Sequence, residues 1–258
     1  MRRRESELVR ERNLSVLERI KTLKSEHPFW GYRRIWANLK YVDQREINKK
    51  RVLRLMQRYD LLVKPDTKLK AVRTPTRSKP KPDRPDQWWG IDMTKLMVQG
   101  FGWVYIVVVL DWYTKKIVGY YAGMECKNRH WLEALDMAVN RQFPEGVQGQ
   151  RLFLMSDNGS QPTSLGFMKA CRGMGITQAF TSYNNPKGNA DTERVFRTMK
   201  EELLWLRDWT SPFKLANNLG TWIAYYNESY LHSTLGYKPP IKFEEEYHNS
   251  QATLLTRA

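Results

Sequence analysis

Cysteine and histidine are scarce in this chain. Its 258 residues include two cysteines, Cys126 and Cys171, in no Cys-x-x-Cys arrangement, and four scattered histidines. That excludes a disulfide framework and a conventional zinc site, and points to a reduced, cytoplasmic protein. Long apolar runs are also missing: the longest, "VYIVVVL" at 104–110, is far too short to span a bilayer, so no membrane partner is expected. The start, "MRRRESELVRERN", is too charged and too rich in acid to read as a signal peptide. Acids are few where bases are many. Residues 1–80 hold 23 Lys/Arg against 9 Asp/Glu, whereas the rest holds 20 against 18. The net charge of +16 is therefore concentrated in the first third, as expected of a protein that meets a polyanion there. With 41% hydrophobic residues and 12% aromatics, the chain can bury a full domain and a smaller one.

Along the chain, 5–25 places Val9, Val16, Ile20 and Leu23 at helical spacing among charges of both signs. This predicts an exposed amphipathic helix, either solvated or facing DNA or a partner. Residues 27–62 then show two short apolar-periodic stretches separated by "YVDQRE". Asn48 can cap the second, whose outward positions are Lys49, Lys50, Arg51, Arg54 and Arg58. A basic second helix fits a helix-turn-helix DNA reader, and a plain helical hairpin with a basic face would look the same. Residues 63–87, with five prolines and eight Lys/Arg, read as an extended basic linker able to track phosphates. From Trp88 the texture changes to three β-rich runs, then helix (129–143), strand (151–159), helix (164–175) and strand (176–180). A meander followed by alternating helix and strand predicts an α/β fold, a mixed sheet flanked by helices.

Three acids stand out in that scheme. Asp92 lies inside the first strand in "WGIDMT", Asp157 ends the fourth in "SDNG", and Glu193 opens a helix expected over 190–206. An aspartate within an apolar strand needs hydrogen bonds, a base or a metal to offset its burial. Singly, Asp157 could be a turn residue and Glu193 a favourable charge at a helix start. Converging carboxylates would repel unless cations lay between them, and hard oxygen donors select Mg²⁺ or Mn²⁺. Two such ions about 3.5–4 Å apart could serve both sides of a phosphodiester exchange. On the Glu193 helix, Arg197 and Lys200 share its stripe, opposite Val195, Phe196, Met199, Leu203 and Leu206. They either hold DNA phosphates or form a solvated face with ion pairs. The loop "TSYNNPKGNAD" (181–191) offers Tyr183 and Lys187 as further DNA contacts or as plain surface.

"GIDMT", "SDNGSQ" and "NNPKGNADTERVFRTMKEEL" resemble the core of retroviral-type integrases and transposases, whose Asp, Asp, 35-residue gap, Glu signature is matched by Asp92, Asp157 and Glu193. The ending "WIAYYNESYLHSTLGYKPPIKFEEEY", which includes Asn227 and His232, looks like the tail of bacterial insertion-sequence transposases, and 27–62 is similar to the helix-turn-helix that precedes their core. The resemblance is to the OrfB transposases of the insertion-sequence-three group. It implies a ribonuclease-H-like core over 88–227, preceded by a helical DNA-binding region at 1–62 and the linker at 63–87, and followed by a C-terminal tail at 228–258. It further implies the three acids as catalytic metal ligands, Mg²⁺ or Mn²⁺ as cofactor, and terminal-repeat and target DNA as substrates, cleaved and joined. A homo-oligomer on DNA and an upstream OrfA-like product or fusion follow as expected partners, in a bacterial, nucleoid-associated setting. The alternatives from the residues are a non-catalytic regulator that occupies the element's ends and a nuclease of the same fold. "YVDQRE" lacks the glycine usual in such a turn.

Overall fold

The computed structural model describes residues 7–63, 80–181 and 189–255. The chain forms two compact units, one holding the N-terminal helices and the other everything from the first strand onward.

The N-terminal unit is a three-helix cluster of α1 (Glu7–Glu26), α2 (Tyr32–Tyr41) and α3 (Lys49–Arg58). Asn48 caps α3 as its sequence suggests, its side chain accepting the Lys50 N–H at 2.8 Å. The expectation of an exposed α1 is corrected here. Val16, Leu17, Ile20 and Leu23 are buried together with Ile35, Leu39, Val52, Leu55 and Met56, so α1 supplies part of the core. Two ten-residue helices cannot enclose an apolar interior alone, and α1 closes it. The connection from α2 to α3 turns without glycine because Gln44 adopts the left-handed conformation, at φ 52°. It is held by a two-pronged Arg19–Asp43 pair at 2.8 and 2.9 Å, and by Trp36 Nε1 donating to the Ile47 carbonyl at 2.8 Å.

The second unit is built on strands β1 (Trp88–Val98), β2 (Gly102–Asp111), β3 (Ile117–Gly123), β4 (Phe153–Ser156) and β5 (Thr177–Phe180), in the order β3-β2-β1-β4-β5. The first three form the antiparallel meander, and β4 and β5 add in parallel on the other side of β1. The apolar run of β2 is continuous because both faces are covered. Val104, Ile106, Val108 and Leu110 pack beneath α6 (Ala190–Met199) and α7 (Pro212–Glu228), while Val107 and Val109 meet α4 (Asn128–Gln142) and α5 (Leu165–Gly173). Gly119 lets α4 lie directly on β3, since a Cβ there would stand 2.1 Å from the Ala134 carbonyl oxygen. No helix among the described residues is long and apolar enough to cross a membrane.

The helix that opens near Glu193 is shorter than expected. It ends at Met199 and passes into a π-helical turn, Lys200–Leu204. The wider turn rotates the following side chains relative to an α-helix. Consecutive Leu203 and Leu204 are consequently both buried, and Leu206, expected on the buried stripe, is 39% exposed. The C-terminal segment is also folded: α8 (Pro240–Leu255) packs on α7.

Candidate active site

Backbone pairing brings the first two acids together. Trp88, Trp89 and Gly90 pair in parallel with Phe153, Leu154 and Met155, and the same register continued by two residues sets Asp157 across from Asp92. Asp92 lies opposite Val108 on β2 and so shares the sheet face that α6 covers. The first turn of α6 rests on β1 beside Gly90, where an added Cβ would be 2.4 Å from Thr192 Oγ1. Glu193, the next residue, is exposed, as is Asp157; Asp92 is half-buried.

Electrostatics ties the three together. Burial pushes the Asp92 carboxyl up to about 6; the Met93 N–H, donating to its Oδ1 at 2.7 Å, pulls the other way, and the charges of Asp157 and Glu193 raise it further. Lys200, half-buried at the start of the π-turn, acts on it with opposite sign. Asp157 Oδ1 accepts from the Gly159 N–H at 3.0 Å, closing the tight turn after β4.

These oxygens suit a hard divalent cation: an aspartate that is costly to ionise, next to two more carboxylates, is the donor chemistry that Mg²⁺ or Mn²⁺ relieves. Among the described residues, no group of three His, Cys, Asp or Glu side chains forms a ready-made metal cage. The donor set fits the ion in its chemistry, with Asp157 and Glu193 exposed at the surface.

The cations expected to meet DNA are differently placed. Arg197 is exposed and bonds Glu201 at 2.8 Å along the helix. On α3, Lys50, Arg54 and Arg58 are exposed, whereas Lys49 sits 4.2 Å over the Trp36 ring and Arg51 donates to Asn13 Oδ1 at 2.9 Å. Tyr183 and Lys187 lie outside the described residues. In the tail, Asn227 has a structural task. Its amide accepts from the Ile117 N–H and donates to the Ile117 carbonyl, both at 2.9 Å, fastening α7 to the edge strand β3. His232 packs edge-on against Tyr226 and Tyr230, and its backbone N–H bonds the Lys238 carbonyl at 3.2 Å.

Sequence reasoning passed over Asn189 and Gly90, which lie where α6 meets β1. The signal was present in "WWGIDM", where glycine precedes the acid on an otherwise bulky strand. A strand glycine of this kind marks close approach by another segment, here through the side chains of Asn189, Thr192 and Trp112.

Comparison with known proteins places this geometry in context. An HTH-like domain matches residues 11–68, and two integrase core domain families match 82–186 and 174–240, so that most of α1 falls within the first match and the three acids within the others. The chain is 28% identical over 169 residues to the transposase for insertion sequence element IS629 of Shigella sonnei, an overlap of 65% of this chain and 55% of that protein. It thus spans little more than half of that relative. With the transposase InsD for insertion element IS2 of Escherichia coli it shares 24% identity over 233 residues, 88% of this chain and 77% of the relative. In fold it is similar to a chain of the simian T-cell lymphotropic virus intasome in complex with a PP2A regulatory subunit, with TM-score 0.52 and 14% identity over 87% of this chain and 73% of that one.

Proposed function

We propose that the chain, whose integrase core and HTH-like domains and insertion-sequence relatives support a transposase of the insertion-sequence-three group, cleaves and joins DNA at the ends of its element. The observation that supports this reading is the β1–β4 register, which points Asp92 and Asp157 to one end of the paired strands, with the charges of Asp157 and Glu193 both acting on the Asp92 carboxyl. Asp92, Asp157 and Glu193 would hold Mg²⁺ or Mn²⁺, two ions by analogy with other phosphodiester-exchange sites. Bound there, the metal would supply Lewis-acid activation of a water or 3′-hydroxyl and stabilise the departing oxygen.

The rest of the work falls to the chain. Asp92 is fixed on a buried strand and cannot withdraw from the site, while Asp157 and Glu193 approach from a turn and a helix start. Lys200 offsets part of the acid charge, and with Arg197 it would steady the DNA backbone beside the reacting phosphate. Lys50, Arg54 and Arg58 on α3 would engage the terminal repeat, with Lys49 and Arg51 nearer the helical core. Tyr183 and Lys187 remain candidate contacts from the loop before α6. Duplex DNA of the element ends and of the target, a second copy of the chain on DNA, and an upstream OrfA-like product are the partners this function requires.

The test is metal-dependent nicking and joining of a supercoiled plasmid carrying the element's own ends, with wild type and Asp157→Asn, each alone and fused to the upstream reading frame. Joining by wild type and none by the variant is expected. If wild type binds the ends but cleaves them neither alone nor as the fusion, the enzymatic reading is overturned in favour of a regulator.

A further inference from the structure

The β1–β4 ladder ends two residues short of Asp92 and Asp157 and directs both to the same end of the paired strands, but Glu193 comes from a helix that no ladder fixes. Something else must set where α6 begins.

Asn189 stands at the N-cap of α6, where an asparagine side chain ordinarily accepts from the second or third helical amide. It makes no such bond here. Its Nδ2 instead donates to the Ile91 carbonyl, a long hydrogen bond of 3.4 Å, while its own carbonyl accepts the Glu193 N–H at 3.1 Å. The Ile91 carbonyl belongs to the peptide that carries the nitrogen of Asp92. One residue, 5% exposed, thus touches the backbone next to both acids. Forgoing the cap gives up about 1 kcal/mol of helix stability, which the contact to the strand must offset.

Gly90 makes the contact possible: a Cβ there would lie 2.7 Å from Asn189 Oδ1 and 2.4 Å from both Thr192 Oγ1 and Trp112 Nε1. The opposite side of the helix start is held by Asp191, paired with Lys115 at 2.9 Å.

We propose that Asn189 is a positioning residue that seats the first turn of α6 on Gly90, so that the Glu193 carboxylate shares one site with Asp92 and Asp157. This inference rests on the reading of those three acids as the metal-holding set. Asn189→Ser keeps a residue able to cap the helix but cannot reach Ile91, and Gly90→Ala pushes the same seat from the strand side.

Both variants, in the full chain, are compared with wild type for joining, for Mn²⁺ binding followed by the electron paramagnetic resonance of free Mn²⁺, and for thermal unfolding. Supporting partners of metal ligands contribute about 10- to 100-fold in affinity or rate. Mn²⁺ binding should weaken by that order and kcat for joining fall with it, with KM for end DNA little changed in both variants and the unfolding temperature little changed in Asn189→Ser, the overpacked Gly90→Ala being compared below its own transition, and excess Mn²⁺ should restore part of the rate. Unaltered Mn²⁺ binding would overturn the inference, as would a loss of activity that merely follows a loss of folded protein. Should wild type bind Mn²⁺ but never join DNA, the proposed function fails while the Mn²⁺ comparison still decides the role of Asn189.

Discussion

Asp92 shows at the scale of one residue a cost to folding that the proposed site would turn to use. Its carboxyl titrates near 6 instead of the ordinary 3.8, chiefly because it is buried. A raised folded-state pKa means that the folded protein binds this proton more tightly than the unfolded chain. The contribution to stability is therefore greatest at low pH and is lost as pH rises from about 4 through 6. At pH 7 without metal, Asp92→Asn should melt at or above the temperature of wild type, a gain on the order of 1 to 3 kcal/mol. Added Mg²⁺ should raise the melting temperature of wild type and not that of the variant; calorimetry with and without the ion checks both. Activity should move the other way. Groups that act as one unit lose most of their effect when any member is removed, so each of Asp92→Asn, Asp157→Asn and Glu193→Gln should reduce joining by on the order of 1000-fold or more, with end binding intact. A triple variant should be little worse than any single one. Appreciable joining by one of the three would remove that residue from the set.

At the scale of elements, pattern in the sequence was a good guide wherever one period governed a whole segment. The meander, α4, α5 and the two parallel strands follow from alternation and 3.6-residue spacing, because each buries its apolar positions against the sheet. Of the three acids, Asp92 stands out for the same reason, as a polar residue on an apolar strand, whereas Asp157 and Glu193 are singled out by the spacing that resembles the integrase signature. What pattern could not supply were contacts between segments distant in sequence. The apolar stripe of α1 looks the same whether solvated or buried, and only α2 and α3 decide it. Arg51 reads as one more outward cation, yet it is occupied by Asn13 on α1. The two kinds of α3 residue should separate on substitution. Lys50→Ala and Arg54→Ala should weaken DNA binding at all sequences and lower the salt slope by about one each if they meet phosphates, whereas Arg51→Ala should chiefly lower the unfolding temperature. Fluorescence anisotropy across a salt series, paired with circular-dichroism melts, distinguishes them; equal salt slopes for all variants would argue against phosphate contact by α3. Asn227 makes the corresponding point in the tail. Its motif position is plain in the sequence, but its pairing with both backbone groups of Ile117 is not. Asn227→Ala leaves a buried donor and acceptor unmade, and should destabilise the fold by on the order of 3 kcal/mol.

Over the molecule as a whole, one partly buried polar cluster joins segments that the sequence assigns to different regions. Asp86 comes from the stretch read as linker, Asp111 ends β2, Lys116 precedes β3, Gln142 ends α4 and Glu244 belongs to α8 in the stretch read as tail. Lys116 bonds Glu244 at 2.6 Å and Gln142 at 2.9 Å; Gln142 donates to Glu244 at 3.0 Å and to Asp86 at 3.2 Å; and the Asp86 N–H donates to Asp111 at 2.6 Å. The cluster fastens both ends of this unit onto the meander, which is why neither end behaves as an appendage. It also carries a pH signature. Asp111 has no exposed surface, and burial, with the charge of Asp86 added, pushes its carboxyl up to about 7, while the Asp86 carboxyl is raised as well. Protons are again held more tightly by the folded state, so stability falls as pH climbs from the unfolded value near 3.8 to about 7 and levels off above it. Asp86→Asn removes one of the two causes that raise Asp111, and the variant should lose less stability than wild type over that window. Because Asp92 contributes a slope of the same sign in both proteins, the informative quantity is the difference between the two melting curves from pH 5 to 8. A difference that narrows as pH falls would show that the raised carboxyls of the cluster cost stability when they ionise, and parallel curves would show that they do not and that the cluster holds the unit by hydrogen bonds alone.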